Sequence, residues 1–242
     1  MQRIWELDFL RGLAIAMMVL FHFAFDLNYL GIAPIAVYKG GWLLLQRATI
    51  SLFLLLVGVS LWLKFQKMQD QPGGIIVKEF GTRAALLFAV ALLISLATWI
   101  VAPHEFIAFG IIHFIALSTL LALPFLRFYK LNLFLGAVLL ASSLFISLPQ
   151  INSALLLWLG FTFPGFVSLD YVPLFPWFGL VLIGIFVGKF FYIKVNLNSI
   201  VEKPRLQIVS LLETAGRKSL LLYLIHQSIL LGLLQLYVMF SK

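Results

Sequence analysis

The chain contains no cysteine, and only nine of its 242 residues are acidic, against seventeen Lys and Arg. The first absence excludes disulfides, thiolate catalysis and cysteine metal sites. Charge of both signs together amounts to 11% of residues, whereas 63% are hydrophobic and the mean hydropathy is +1.09. Soluble domains carry roughly 25% charged residues, so this composition reads as an integral membrane protein. Also missing are a glycine loop to cradle phosphates, a dinucleotide-binding fingerprint and a metal-ligand triplet. No internal repeat is visible, which speaks against the inverted halves typical of many transporters.

What the sequence does have is long apolar runs. Runs of about 18 residues or more read as membrane-crossing helices. Seven are expected, at 9–29, 42–63, 84–102, 107–125, 131–148, 171–192 and 219–240. Little chain remains for anything soluble, so the expectation is an all-α, polytopic membrane protein forming a single domain over 1–242. The first span reads as part of the mature chain, since Glu6 and Asp8 stand where a basic leader belongs. In the outer segment from Pro149 to Asp170, the apolar stretch Ala154 to Phe163 is about 15 Å long as a helix, too short to cross. It is expected to form one short re-entrant or interfacial helix, ended by Pro164-Gly165, that roofs an outer-facing cavity. Gly184 and Gly188 are expected to permit close helix packing.

Basic residues collect on the cytoplasmic side of short loops. Arg3, Lys64, Lys67, Lys78, Arg83, Arg127, Lys130, Lys189, Lys194, Lys203, Arg205, Arg217 and Lys218 fall on one side, against Lys39 and Lys242 on the other. The expected orientation is therefore N-terminus cytoplasmic and C-terminus outside, multi-pass in a cell inner or plasma membrane. The net charge of +8 is then mostly a topology signal, with inner loops touching anionic lipid headgroups, and nothing points to nucleic acid.

Inside the first span, Arg11 and His22 are eleven residues apart. On a helix that is about 20° past three turns, so both side chains share a face, roughly 16 Å apart along the axis. Asp8 lies three residues before Arg11 and Asp26 four after His22, which puts both carboxylates on the same stripe. Charges in hydrocarbon cost about 2.5–3.5 kcal/mol each on insertion scales, so this face should turn toward protein or a wet cavity. Arg11 suits a phosphate-bearing group arriving from the cytoplasm, because guanidinium is always charged and grips phosphate oxygens at two points. His22 can act as a general base near neutral pH, with Asp26 one turn away to orient or charge the imidazole. The competing reading makes Arg11 a headgroup anchor and His22 a helix-to-helix hydrogen bond.

His113 falls in the outer half of the fourth span, at a depth like that of His22, whereas His226 is expected nearer the inner half of the seventh. His113 is therefore a catalytic candidate beside His22 and Asp26, with His226, Arg47 and Asp170 as further site candidates, although each of these two histidines alone also reads as a packing residue. Arg47, near the outer end of span two, is expected to pair with Asp26 or Asp170.

Arg, ten intervening residues and then His in a first span resembles the signature of a membrane acyltransferase superfamily. The wider pattern is closer to one branch of it. Glu6-Leu7-Asp8-Phe9-Leu10-Arg11-Gly12-Leu13-Ala14-Ile15 with His22 and Asp26 is similar to the bacterial relatives of heparan-alpha-glucosaminide N-acetyltransferase. So are Leu52 to Ser60, Phe109 to Leu117 around His113, Asp170 to Gly179, and Gly216 to His226. The resemblance implies transfer of an acetyl or similar acyl group from cytoplasmic acyl-CoA to an amino or hydroxyl group of a sugar across the membrane. It implies that His22 is the catalytic histidine and that Arg11, with Asp8, serves the donor side. The chain is shorter than the lysosomal enzyme, with fewer spans and no large luminal segment, so an envelope glycan or glycolipid is the implied acceptor.

The expected function is thus an acyltransferase, with acetyl-CoA as donor substrate and no permanently bound cofactor. Its partners are acyl-CoA, a glycan or glycolipid acceptor and membrane lipids, and a homo-oligomer is compatible with the sequence. The imidazole of His22 either takes a proton from the attacking acceptor or carries the acyl group itself. Two rivals use the same residues. A transporter or flippase would use the Asp8, Arg11, His22 and Asp26 stripe for protons or an anionic substrate. A haem protein would use two of His22, His113 and His226 as axial ligands, although the expected difference in depth counts against pairings with His226.

Overall fold

The computed structural model describes residues 4–194, 204 and 206–240. Of the residues counted for orientation, Arg3, Lys203, Arg205 and Lys242 lie outside the described residues. The described chain is built from helices: α1 (Trp5–Tyr29), α2 (Gly40–Lys67), α3 (Gly73–Val101), α4 (Ile111–Leu121), α5 (Lys130–Ser142), α6 (Leu174–Lys194), α7 (Gln207–Arg217) and α8 (Ser219–Phe240). Among the described residues the only extended pairing is an isolated bridge between Phe109 and Tyr171. The protein is an all-α, multi-pass membrane protein.

Five helices, α1, α2, α3, α6 and α8, are long and apolar enough to cross a bilayer. Where the fourth and fifth crossings are expected, α4 and α5 hold 11 and 13 residues, about 17 and 20 Å. The reason is legible in their surroundings. Ile111, Ile112, His113, Phe114, Ala116, Ser118 and Thr119 of α4 are buried, so much of this helix faces protein, where length need not match the hydrocarbon. Pro124, which has no N–H to continue the ladder, opens a 3₁₀ turn over Leu123–Arg127. α5 stops where the hydroxyls of Ser142 and Ser143 bond back to the carbonyls of Leu139 and Leu140.

The segment from Pro149 to Asp170 also differs from expectation. Between Ala154 and Phe163 only Leu157–Leu159 forms a single 3₁₀ turn, and no re-entrant or interfacial helix is present there. Gly160, at φ 123°, and Gly165, at φ 78°, bracket Pro164 and force turns that an apolar composition does not reveal. The following stretch is strapped to the loop before α4. Leu169 N–H donates to Glu105 O at 2.8 Å, and Val172 N–H to Phe109 O at 3.1 Å. The Ser168 hydroxyl donates to Phe106 O at 2.9 Å.

The chain groups into two compact units, Met1–Leu56 with Ser199–Lys242, and Val57–Asn198, with α2 running from one into the other. In the second, α3 packs on α4 and α5 on α6. α2 and α6 meet through glycine: a Cβ on Gly58 would overlap the Val181 carbonyl, and one on Gly188 would press on Val59. The close packing expected around Gly184 and Gly188 is found there. Phe80, Phe114, Leu126, Val181, Leu182 and Ile185 form its fully buried interior.

In the first unit, α1 packs on α7 and α8. α7 lies within the basic loop before α8 and is not anticipated by the reading of spans. Its Val209, Glu213 and Gly216 are buried, while Leu206, Ile208 and Leu211 are exposed. A Cβ on Gly12 would collide with the Leu212 carbonyl and one on Gly216 with the Asp8 carbonyl, so the two backbones touch directly.

Candidate functional site

The α1 face carrying the expected stripe is the one turned inward. Asp8, Gly12, Ile15, Met18 and Asp26 are buried, and Asp26 has no exposed surface at all. Charged groups on a membrane helix have turned toward protein, as their transfer cost requires.

His22 Nδ1 lies 2.9 Å from the carbonyl of Met18, one turn earlier. A carbonyl only accepts, so Nδ1 carries a proton, and in the neutral ring the lone pair sits on Nε2. Among the described residues Nε2 makes no hydrogen bond. Asp26 does not orient this ring. Helical side chains lean back toward the N-terminus, which delivers His22 to its own preceding turn, while Asp26 reaches across to α8. There its Oδ1 accepts from Gln227 Nε2 at 2.7 Å. Asp26 Oδ2 and Gln227 Oε1 are buried with no partner among the described residues.

The residue beside Gln227 changes the site. The rings of His226 and His22 meet edge to face, with centroids 5.0 Å apart and planes at 73°. His226 Nδ1 donates to the carbonyl of Tyr223 at 2.7 Å, which fixes the same tautomer as in His22. The expected difference in depth between the two is therefore wrong. Counting along each helix from its start assumes both start at one level, but α8 leaves from the end of α7, which lies against α1 at Asp8 and Gly12. From that contact, Gly12 to His22 is ten residues and Gly216 to His226 is ten. An edge-to-face contact at 5.0 Å also leaves no room for a porphyrin plane between these rings, which removes the haem reading for this pair.

At the start of α1, Arg11 Nη1 donates to Asp8 Oδ1 at 2.6 Å. Asp8 Oδ2 faces Arg217 Nε at 3.8 Å, and Arg217 also binds Glu213 one turn before it on α7. Two guanidinium groups and two carboxylates thus sit together, with the side chains of Asp8 and Glu213 almost wholly buried and those of Arg11 and Arg217 30% and 45% exposed. Arg217, Glu213 and Gln227 are not among the residues singled out from sequence. The signals existed: Glu213 and Arg217 are spaced i, i+4, and Gln227 is an uncharged polar residue inside an apolar run.

Arg47 is exposed, and no ion pair joins it to Asp26 among the described residues. Asp26 is occupied by Gln227 instead, a neutral donor that needs no second buried charge.

His113 and Asp170 belong to the second unit. His113 is buried. Its Nδ1 accepts from Gly110 N–H at 3.3 Å, so the ring proton is on Nε2, 3.3 Å from the Ser95 hydroxyl. That hydroxyl donates to Ile107 O at 2.5 Å. Asp170 Oδ2 accepts from Ile111 N–H at 2.9 Å, capping α4. Serine, histidine and aspartate stand near one another here, but a histidine protonated on Nε2 cannot take the serine proton, and the carboxylate bonds backbone. Both ring nitrogens of His113 are engaged in holding the start of α4.

The family model for the catalytic region of heparan-alpha-glucosaminide N-acetyltransferase matches residues 3–228. No curated protein and no solved structure matches the chain. The matched span includes Asp8, Arg11, His22, Asp26, Arg217 and His226, the residues that α1, α7 and α8 bring together. The chain belongs to the heparan-alpha-glucosaminide N-acetyltransferase catalytic family.

Proposed function

We propose that the chain transfers an acetyl or similar acyl group from cytoplasmic acyl-CoA to an amino or hydroxyl group of a sugar or glycolipid at the outer side of a cell membrane. The observation that carries this reading is the setting of His22: an imidazole whose Nδ1–H is tied to Met18, so that the neutral ring offers its Nε2 lone pair as base or nucleophile. Membership of an acetyltransferase family supports the same chemistry.

Arg11 serves the donor side. A guanidinium has five N–H donors, and Asp8 holds Nη1 and sets the group's direction while part of it stays exposed. With the N-terminus cytoplasmic, Arg11 stands toward the inner mouth and His22 about 16 Å deeper, a separation that an extended acyl-CoA arm can bridge. The acceptor is an envelope glycan or glycolipid. The excess of basic residues on one side of the helices supports the orientation.

The test is purified protein in liposomes, given labelled acetyl-CoA and a panel of amino sugars and glycolipids. Label should move to an acceptor with wild-type protein and not with His22→Ala protein that still binds acetyl-CoA. Substrate flux across the membrane without label transfer would overturn the reading in favour of a transporter.

A further inference from the structure

Acyl transfer from a thioester needs two proton movements. The attacking N–H or O–H of the acceptor must lose a proton as the new C–N or C–O bond forms. The sulfur leaves at the thiolate level and ends as a thiol, so it gains one as the C–S bond breaks or after it. A lone imidazole has to do both in turn, moving from the acceptor to the sulfur within one collapse of the tetrahedral intermediate.

This chain places two imidazoles together. His22 and His226 are in ring contact at 5.0 Å, each with Nδ1–H fixed on a carbonyl of its own helix. Both rings therefore present Nε2 as the titrating atom. Their helices are locked by the bond from Gln227 to Asp26, one residue beyond His226 and one turn beyond His22. The titratable and charged groups on the elements packed against α8 are Glu6, Asp8, Arg11, His22 and Asp26 on α1, and Glu213 and Arg217 on α7. Tyr223 lies on its own helix, with ring centroids 5.8 Å away.

We infer that His226 is the second catalytic histidine of this site, acting as the general acid toward the thioester sulfur while His22 acts as the base toward the acceptor. The inference rests on the acyl-transfer reading and divides its proton chemistry. In the active state the pair holds one proton, on Nε2 of His226. His22 Nε2 takes the acceptor proton as the acceptor attacks the carbonyl carbon. The C–S bond breaks and His226 Nε2–H protonates the leaving thiolate. The proton on His22 then passes to His226 and restores the starting state, so the sum is acceptor plus thioester giving acylated acceptor plus thiol.

The test combines pH profiles with a change of leaving group. With acetyl-CoA, wild-type kcat/KM should fall at low pH as His22 protonates and at high pH as His226 loses its proton. With a nitrophenyl acetate donor, whose leaving group needs no proton, the alkaline fall should vanish in the wild-type protein itself. His226→Gln should lose the alkaline limb with acetyl-CoA and drop in turnover by about a hundredfold or more, while keeping most of its rate with the nitrophenyl ester. Equal losses with both donors, or an alkaline limb unchanged by donor in the wild type, would overturn the role of His226 and leave acyl transfer standing. Wild-type protein that transfers no acyl group to any acceptor would overturn both. The wild-type comparison decides the matter even if His226→Gln does not fold.

Discussion

His22 and His226 are 204 residues apart in sequence and 5.0 Å apart between ring centroids. Their meeting joins the first and last described helices at one place. It also shifts the order of candidates: behind His22 stands His226, whereas both nitrogens of His113 are already engaged.

His22→Ala should reduce acyl transfer by about a hundred- to ten-thousand-fold if the histidine is a general base, since that is the typical range for such groups. Acyl-CoA binding, measured by calorimetry in detergent, should change little. Near-normal turnover in folded His22→Ala protein would remove His22 from the chemistry.

Arg11→Ala should raise KM for acyl-CoA more than it lowers kcat, because the guanidinium acts on binding at the start of α1. It should also destabilise the protein, since Asp8 would lose its 2.6 Å partner and keep only Arg217, leaving a buried carboxylate under-bonded at a cost of about 1–3 kcal/mol. Arg11→Lys should restore part of the affinity, as an ammonium keeps the charge but not the fork. An Arg11→Ala protein with unchanged KM would assign the residue to folding alone.

Gln227→Leu removes the one hydrogen-bond donor that Asp26, fully buried, has among the described residues. Thermal melting in detergent should show a loss of about 1–3 kcal/mol. In the background of Asp26→Leu the same change should cost much less, because no carboxylate remains to be satisfied. Additive losses would mean that the bond between α1 and α8 contributes nothing.

Gly216→Leu should separate α7 from α1, since even a Cβ there meets the Asp8 carbonyl. Both Gly216→Leu and Gly12→Leu are expected to lower the melting temperature and abolish activity, while Gly74→Ala, where nothing lies within 4 Å, should be neutral. Stable Gly216→Leu protein would show that the α1–α7 contact is dispensable.

Reporter fusions after Lys67, Arg127 and Lys189 should behave as cytoplasmic and a fusion after Phe240 as external. A cytoplasmic reading at Phe240 would reverse the proposed orientation of α8.

The sequence made α1 legible because the periodicity of one helix needs no partner: Asp8, Arg11, His22 and Asp26 declare a face by spacing alone, and that face is the inward one. Depth between helices is different in kind. His226 could not be placed against His22 without the α7–α1 contact that sets where α8 begins, and that contact depends on two glycines 204 residues apart. α7 itself was hidden in a basic loop, where Ile208, Val209, Leu211 and Leu212 are too few to read as a span. Ala154 to Phe163 erred the opposite way, because apolar composition does not report the positive φ at Gly160 and Gly165.

The packing of α1 also has a consequence in time. Its inward face is covered by α7 and α8, so during synthesis nearly two hundred residues must follow α1 before its partners exist, about 10–40 s at ordinary elongation rates. Through that interval Asp8 and Arg11 can neutralise each other within a single helical turn, whereas Asp26 lies one turn from His22, whose ring is tied to Met18, and waits for Gln227 on α8. A chain stopped before Gln227 therefore lacks the donor that meets Asp26 in the finished fold.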